Sequence, residues 1–341
     1  MTANYNVSSI KTINFIPKKC IDCKHTKLSK DVVKAQMPEQ NIHGTYHCEN
    51  CELLMVVKLP PKTMLLELRK TIVFIFVEKD NDLYAKGTGF FVKLPVEHIP
   101  NGYQRYFVTA RHVIVDKTGS FLKEIIFRVN KKDGGVIYDR FPLNEEFIFQ
   151  HKDKNVDLVA IPVNLQNHID YKSIPLDIII DYGILEKTGL GEGDEVFFSG
   201  LFHHHIGKEE NAPLYRFGKM SLMSNEKIKW KEEGKLEIEA NLYLMECDST
   251  KANSGSPVFF RITPQHETMM MEKSYKTYLV GILMGRFQDP VFVKTYDKKD
   301  KGMIDENLGI TAVIPAYKLR ELLFSDDALN HRKSLQEKPK E

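Results

Sequence analysis

Short runs of β-branched and aromatic residues, separated by turn residues, fill the chain from residue 71 onward. Residues 71–77 read TIVFIFV, and about ten such runs follow one another down to residue 315. Few segments between them carry the 3.6-residue period of a helix. Short strands at turn-separated intervals indicate an all-β sandwich or barrel. A helix is predicted only at 315–324, which begins with proline and aligns its leucines on one face.

The length of 341 residues exceeds the size at which one core usually keeps growing, so more than one packed unit is expected. The segment KLPPK at 58–62 reads as a linker, because paired prolines continue neither a ladder nor a helix. We therefore expect an N-terminal module over 1–62, a domain over 63–325 with halves at about 63–180 and 181–325, and a charged tail over 326–341.

Composition narrows the class of protein. Hydrophobic residues make up 42% and charged residues 28% of the chain, as in globular proteins in water. No apolar run has the length of a membrane span, and the N-terminus lacks the build of a signal peptide. We therefore expect a cytoplasmic protein without a membrane partner. The net charge of +2 does not by itself indicate nucleic acid.

Four of the five cysteines form two pairs, CIDC and CENC, with 24 residues between them. The pairs are Cys20 with Cys23 and Cys48 with Cys51. Disulfides are unfavourable in a reducing cytoplasm, whereas two such pairs suit one structural Zn²⁺. Four thiolates close the coordination shell, so the metal would hold the fold without activating water. The fifth, Cys247, is expected to be a packed thiol.

The paired spacing resembles a zinc ribbon over roughly the first sixty residues. Ribbons bind nucleic acid, bind proteins, or cap a neighbouring domain. Residues 1–62 contain nine lysines and five acidic residues, and a Zn²⁺ with four thiolates subtracts two charges from that net of +4. The remaining charge favours nucleic acid only weakly.

Three side chains complement one another chemically. His112 follows the strand-like YFVTA, Asp157 begins the apolar run DLVAIPV, and Ser254 lies in ANSGSP. Each alone has an ordinary explanation: a packed histidine, an acid that starts a strand, and a turn serine. Together they supply what hydroxyl attack needs at neutral pH, which is a base and a third group that fixes its tautomer.

The order His, Asp, Ser resembles that of the trypsin-like (chymotrypsin-fold) serine peptidases, especially the bacterial ones without disulfides. The flanks GTGFFV, TARHV, DLVAIPV, GEGDEVFFSGL, ANSGSPV and YLVGILMG match that family in the same order, over about residues 70–320. The resemblance implies two six-stranded barrels with the site in the crevice between them. It also implies an endopeptidase that cleaves protein or peptide substrates through an acyl-enzyme.

The resemblance assigns a role to each residue. Ser254 would be the nucleophile, His112 the general base and then acid, and Asp157 the orienting carboxylate. The backbone N–H groups of Ala252 and Ser254 would form the oxyanion hole. Asp248 lies six residues before Ser254, the offset of the pocket aspartate in Arg- and Lys-selective members.

Further positions bear on substrate binding. Glu246 is a rival to that pocket aspartate, and Met284 and Gly285 lie in the strand that would line the substrate cleft. A solvated acid in a loop explains Asp248 as well as a binding role does.

Three positions near the serine depart from the family pattern. Ala252 and Ser256 stand where glycine is usual, and Asn253 replaces an aspartate that pairs with a newly cut N-terminus in zymogen-activated members. A methyl group at Ala252 is expected to favour a flipped, inactive peptide. We therefore expect a protease that is weak at rest and completed by a regulatory protein partner.

Two alternatives of other classes stay open. One is a catalytically silent trypsin-like scaffold in which Ala252 keeps the oxyanion hole closed. The other is a nucleic-acid-binding protein led by the zinc ribbon, with barrels that only position it.

Overall fold

The structure is a computed structural model that describes residues 9–13, 23–24, 28–31, 42–48, 50–51, 53–58, 64–96, 99, 102–231, 237–261, 277–294 and 301–334. The chain forms two compact units, Met1–Glu67 and Leu68–Glu341. A short helix, α1 (Met64–Arg69), spans the division between them.

The first unit contains one four-stranded sheet. Its strands are β1 (Ser9–Ile13), β2 (Leu28–Asp31), β3 (Ile42–Cys48) and β4 (Leu53–Lys58), in the order β1-β4-β3-β2. β1 and β4 run parallel, while β3 pairs antiparallel with both of its neighbours. The β3–β4 hairpin carries Cys48 at the end of its first strand and Cys51 in its turn.

The first half of the second unit is an eight-stranded sheet. Its strands are β5 (Ile72–Lys79), β6 (Asp82–Pro95), β7 (Tyr103–Ala110), β8 (Glu124–Asn130), β9 (Val136–Pro142), β10 (Phe149–Gln150), β11 (Leu158–Val163) and β12 (Ile174–Pro175). The order is β10-β11-β7-β6-β5-β8-β9, and β12 pairs with β6. Val73, Phe91, Phe107, Phe127 and Ile161 meet in one buried core, so the β-branched and aromatic runs form the sheet because they fill its interior.

The second half is a closed barrel of six strands in the order β13-β14-β17-β20-β19-β18. Its strands, with the separate β15–β16 hairpin, are β13 (Glu195–Gly200), β14 (Leu214–Leu222), β15 (Ile228–Trp230), β16 (Ile238–Ala240), β17 (Tyr243–Glu246), β18 (Pro257–Arg261), β19 (Thr277–Lys294) and β20 (Lys301–Pro315). The barrel encloses a separate core that includes Phe198, Met245, Val258 and Val280. β19 and β20 continue as a two-stranded ribbon beyond the part that closes the barrel, with Gln288–Lys294 paired to Lys301–Asn307.

Three helices accompany these strands. α2 (Tyr182–Thr188) precedes β13, and Asp181 caps it by accepting a hydrogen bond from the Ile184 N–H at 2.9 Å. α3 (Ala316–Leu323) follows Pro315, as predicted, and buries its leucines. α4 (Asp326–Ser334) completes the described chain.

The sequence pattern predicts only a charged tail from residue 326, but α4 occupies residues 326–334. The side chain of Arg332 explains the difference, because it is buried and donates hydrogen bonds to the Tyr106 hydroxyl at 2.9 Å and the Leu323 carbonyl at 2.7 Å. These hydrogen bonds compensate for the burial of a cation that the sequence pattern predicts to be solvent-exposed. Residues 335–341 lie outside the described residues.

The prediction of an all-β chain with a barrel and a short C-terminal helix is confirmed. The first half differs from the expected six-stranded barrel in having eight strands, because the two-residue strands β10 and β12 add to its sheet. Within the part of the chain described, no helix is long and apolar enough to cross a membrane.

Candidate active site

His112 and Asp157 are brought together by the pairing of two strands. β7 and β11 run antiparallel, with Ala110 opposite Leu158. His112 lies in the short 3₁₀ turn that follows β7, and Asp157 immediately precedes β11. Because the end of one antiparallel strand lies beside the start of its partner, the two side chains meet at this edge of the sheet.

The Asp157 carboxylate binds His112 through both of its oxygens. One accepts a hydrogen bond from the His112 backbone N–H at 2.9 Å, and the other lies 2.5 Å from Nδ1 of the imidazole. The two side chains are 21% and 15% exposed, so both are largely shielded from water. A proton on Nδ1 satisfies this contact and leaves Nε2 as the basic nitrogen.

Ser254 lies in the loop between β17 and β18, and hydrogen bonds tie this loop to both halves of the unit. The Ser254 carbonyl accepts from the Thr88 N–H of β6 at 2.9 Å. The Ser254 hydroxyl donates to the Met284 carbonyl of β19 at 3.0 Å. Gly255 donates its N–H to the Leu283 carbonyl at 2.8 Å. The hydroxyl is thus fixed where the barrel approaches the first sheet.

Gly255 is required by this approach. Its φ is +85°, and a Cβ built there would lie 2.0 Å from the Thr88 carbonyl oxygen and 2.3 Å from Oγ1 of Thr109. Thr109 itself donates to that carbonyl at 2.7 Å. Any side chain at Gly255 would push the serine loop away from β6.

The two N–H groups assigned to an oxyanion hole are not used for internal hydrogen bonds. Within the described residues, neither Ala252 nor Ser254 donates its backbone N–H to a protein acceptor. Ala252 has φ +73°, in the left-handed region, and its carbonyl accepts from the Thr88 hydroxyl at 2.8 Å. This hydrogen bond fixes the peptide between Ala252 and Asn253, whereas the Ala252 N–H belongs to the preceding peptide, between Lys251 and Ala252.

Asn253 holds the same loop from the other side. Its side chain is buried, with the residue 1% exposed, and Nδ2 donates to the Leu201 carbonyl at 2.8 Å. Oδ1 accepts from the N–H and the hydroxyl of Thr250 at 2.7 and 2.9 Å. A neutral amide thus makes three hydrogen bonds where a buried carboxylate would need a cation.

Ser256, the other departure from the family pattern, is buried against Gly200. A Cβ on Gly200 would come within 2.1 Å of the Ser256 hydroxyl oxygen. Among the described residues this hydroxyl has no hydrogen-bond partner. The serine is therefore accommodated because Gly200 leaves it room.

A cavity of about 460 Å³ opens beside the serine. His112, Ser254, Met284 and Gly285 all line it. The predicted nucleophile and base therefore share one cavity with the two predicted cleft residues. Arg286 also lines it, and the sequence analysis missed that side chain although it directly follows Met284 and Gly285.

The two acids considered for substrate binding lie elsewhere. Asp248 is exposed, accepts a hydrogen bond from the Asn307 side chain at 3.0 Å, and is not among the residues that line this cavity. Glu246 is an exposed residue at the end of β17.

Cys247, between Glu246 and Asp248, is buried, and burial raises the pKa of its thiol to about 11 by disfavouring the thiolate. That matches a packed thiol without a reactive role.

Three of the four predicted metal ligands lie together in the first unit. The Sγ atoms of Cys23, Cys48 and Cys51 are all within 4.8 Å of one another, and those of Cys23 and Cys48 are 3.6 Å apart. Thiolates on a tetrahedral Zn²⁺ at about 2.3 Å lie roughly 3.8 Å from one another. The three thiols therefore fit a metal ion, while Cys20 lies outside the described residues.

No protein-family model matches this chain, and no curated protein matches it. Solved structures do. The inactive form of the Rv3671c protease is 13% identical and matches with a TM-score of 0.39 over 77% of this chain and 94% of its own. The active form of the same protease, from M. tuberculosis, is 13% identical with a TM-score of 0.40 over 77% and 86%.

Proposed function

We propose that the chain is a serine endopeptidase that hydrolyses peptide bonds in proteins or peptides through an acyl-enzyme. One observation carries the proposal. Asp157 holds His112 through both carboxylate oxygens, on the wall of a cavity that Ser254 also lines. A carboxylate, an imidazole and a hydroxyl in this relation are what acyl transfer at neutral pH requires.

In the proposed mechanism, the Ser254 hydroxyl turns from the Met284 carbonyl towards Nε2 of His112, which takes its proton as Oγ bonds to the substrate carbonyl carbon. Asp157 stabilises the resulting imidazolium. The proton then passes from Nε2 to the leaving amine as the C–N bond breaks. Water, deprotonated by the same nitrogen, then attacks the acyl carbon, and Nε2 returns the proton to Oγ of Ser254 as the C–O bond breaks and the acid product leaves.

The oxyanion formed at each step would accept hydrogen bonds from the backbone N–H groups of Ala252 and Ser254. Such donors contribute about 3–4 kcal/mol each in comparable enzymes, because they are oriented before charge develops. The hydrogen bonds to the Ala252 carbonyl and from the buried Asn253 side chain support this role because they hold the loop in place, and among the described residues neither N–H group has a protein acceptor.

We also propose that the first unit holds one structural Zn²⁺, with Cys20 completing the set of Cys23, Cys48 and Cys51 in a zinc-ribbon-like module. The metal would supply folding free energy to a small sheet and no catalytic chemistry.

A regulatory protein partner remains a prediction. The tethers at Thr88 and Asn253 favour activity of the isolated chain over a loop that a partner must open. Nucleic-acid binding by the first unit rests on weak charge alone, and a steep loss of binding with added salt would reveal it.

Labelling by a fluorophosphonate probe tests the proposal, because the probe bonds only to an activated serine. Wild type should be labelled at Ser254 and should cut a mixed peptide library. Ser254→Ala and His112→Ala should abolish both results, whereas Ser224→Ala, away from the cavity, should leave them unchanged. Failure of the folded wild type to react would favour the silent scaffold.

A further inference from the structure

We infer that the cavity beside Ser254 selects an acidic side chain, aspartate or glutamate, in the residue whose carbonyl carbon is attacked. The inference rests on the proposed function and names its substrate class. The selecting group is Arg286, the second residue after Met284 on β19.

The position of the guanidinium is fixed by a contact across the cavity. Nη1 of Arg286 donates to the Ser249 carbonyl at 3.1 Å. Ser249 lies five residues before Ser254, on the segment that leads into the serine loop, and both residues line the cavity. The guanidinium therefore spans from β19 to that segment, within the cavity that holds the nucleophile.

Among the described residues, most N–H donors of the Arg286 guanidinium have no acceptor. A guanidinium carries five N–H donors, and the Ser249 carbonyl occupies one of them. Among the described residues no carboxylate forms an ion pair with Arg286. A substrate carboxylate would accept two parallel hydrogen bonds from the remaining donors, which is the geometry that arginine matches best.

Most charged side chains described around the cavity are basic. Among the described residues that line it, Lys231 and Lys251 are basic like Arg286, and Asp305 is acidic. A basic cavity raises the local concentration of anionic substrates. A lysine or arginine side chain would meet like charge there instead.

Ser249, which lines the cavity, is buried beside a neutral partner. The hydroxyl of Thr311, also buried, lies 3.1 Å from that of Ser249 and donates to the Cys247 carbonyl at 2.7 Å. Both groups are neutral. Asp248, the acid that the sequence suggested for Arg or Lys selection, is exposed and bound to Asn307.

One wall of the cavity is apolar. A Cβ on Gly285 would lie 2.9 Å from the Trp230 ring, so the indole covers this stretch of β19. Trp230 is buried and packs edge-on against Phe287, with ring centroids 5.0 Å apart. An ion pair beside such a wall is screened less than one in bulk water.

Four chromogenic peptides that differ only in the residue before the scissile bond test the inference. With Glu, Gln, Leu and Arg at that position, kcat/KM for Glu should exceed that for Gln by about 10- to 100-fold, the range of one charge-assisted contact. Arg286→Gln should lower kcat/KM for Glu to the level of Gln and leave the Gln peptide within about threefold. Lys231→Gln is the matched control that removes a cavity charge but should keep the preference.

Three outcomes would overturn the inference. Equal rates for Glu and Gln would do so, as would an equal gain for all four peptides in Arg286→Gln, since the guanidinium would then merely obstruct the cavity. Loss of the preference for Glu in Lys231→Gln, to the same extent as in Arg286→Gln, would do so too, because the preference would then come from the overall charge of the cavity.

Binding to Ser254→Ala separates this inference from the proposed function. Product peptides ending in Glu or Gln carry the same terminal carboxylate and differ only in the side chain. The Glu peptide should bind about 10-fold or more tightly by calorimetry, and Arg286→Gln in that background should equalise the two. Tighter Glu binding without fluorophosphonate labelling of wild type would refute catalysis alone. Equal binding with normal labelling would refute the acidic preference alone.

Discussion

The hydroxyl of Thr88 donates a hydrogen bond to the carbonyl of Ala252 across 2.8 Å, although 164 positions separate the two residues. The same Thr88 hydroxyl accepts from the Leu201 N–H at 2.9 Å, and the Leu201 carbonyl accepts from Asn253 at 2.8 Å. A short chain of hydrogen bonds thus links β6, the end of β13 and the serine loop. It holds the loop from which an oxyanion hole would be built.

Asn253→Asp tests this chain of hydrogen bonds. The new carboxylate would face the Leu201 carbonyl in place of an amide donor, and burial would raise its pKa above the unfolded value. Because a raised carboxyl pKa disfavours the folded state once the unfolded chain ionises, the loss should be large at pH 7, about 3 kcal/mol or more, and shrink towards pH 4.

Chemical denaturation at both pH values measures that loss. Asn225→Asp, on an exposed residue, is the matched control and should change the free energy of unfolding by less than about 0.5 kcal/mol at either pH. A loss that did not depend on pH would contradict the assignment of the Asn253 amide as a donor.

Ala252→Gly tests whether the serine loop is already open in the isolated chain or must be opened by a partner. The left-handed φ of Ala252 is tolerated because Thr88 and Asn253 hold the loop on both sides. We therefore expect glycine to change the rate of fluorophosphonate labelling without any partner by less than about threefold, a difference below 1 kcal/mol. Ala252→Val should slow labelling strongly, because a β-branched residue resists positive φ.

A rise of tenfold or more in Ala252→Gly would show that the alanine keeps the loop closed most of the time. The regulatory partner predicted from the sequence would then regain its physical basis.

Asp157→Asn addresses the orientation of the imidazole. An asparagine amide that donates to Nδ1 would place the ring proton on Nε2, so the base would be in the wrong tautomer. Turnover should fall about 10⁴-fold while the fold is retained, by analogy with the same change in a trypsin-like protease. The control Asp133→Asn, on a side chain that is 79% exposed, should keep full turnover. An active Asp157→Asn would contradict the proposed role of the carboxylate.

The sequence predicts the candidate site as far as chemistry follows from residue type and strand order. His112, Asp157 and Ser254 stand out because their flanks are strands, and the pairing of β7 with β11 brings the first two together. The hydrogen bond from Thr88 to Ala252 cannot be predicted from the sequence, because no local pattern links a strand threonine to a residue 164 positions away. Arg286 lacks a signal for the same reason, since only the fold decides which side chains of β19 line the cavity. The buried Arg332 shows how a charged segment becomes a packed helix when tertiary partners override composition.

Removal of one thiolate tests the metal. We expect one Zn²⁺ per chain by elemental analysis, and its loss in Cys48→Ser, because Cys48 lies 3.6 Å from Cys23 by their Sγ atoms. Since metal-binding free energy is folding free energy at such sites, the first unit should unfold while the second keeps its near-ultraviolet circular dichroism. Cys247→Ala should retain the zinc. Wild type prepared without chelator and found free of zinc would refute the site.

The final prediction concerns acid stability and the contact between α3 and the residue that follows β10. Glu321 of α3 lies 2.7 Å from Nε2 of His151 and 3.1 Å from Nζ of Lys318. Burial acts to raise the pKa of Glu321, but the hydrogen bonds from His151 and Lys318 outweigh it and lower that pKa below its ordinary value. A lowered carboxyl pKa stabilises the folded state above the unfolded pKa of about 4.3, and this contribution is lost as the pH falls through the folded value.

Wild type should therefore lose more stability than Glu321→Gln between pH 5 and pH 3. The excess should stay below about 1 kcal/mol, because the Glu321 side chain is 42% exposed and solvent screens its ion pairs. Urea denaturation across that range, with the exposed Glu186→Gln as the matched control, measures the difference. Equal slopes for wild type and Glu321→Gln would mean that the contact with His151 contributes nothing to the acid transition, and a steeper slope in the variant would reverse the sign of the argument.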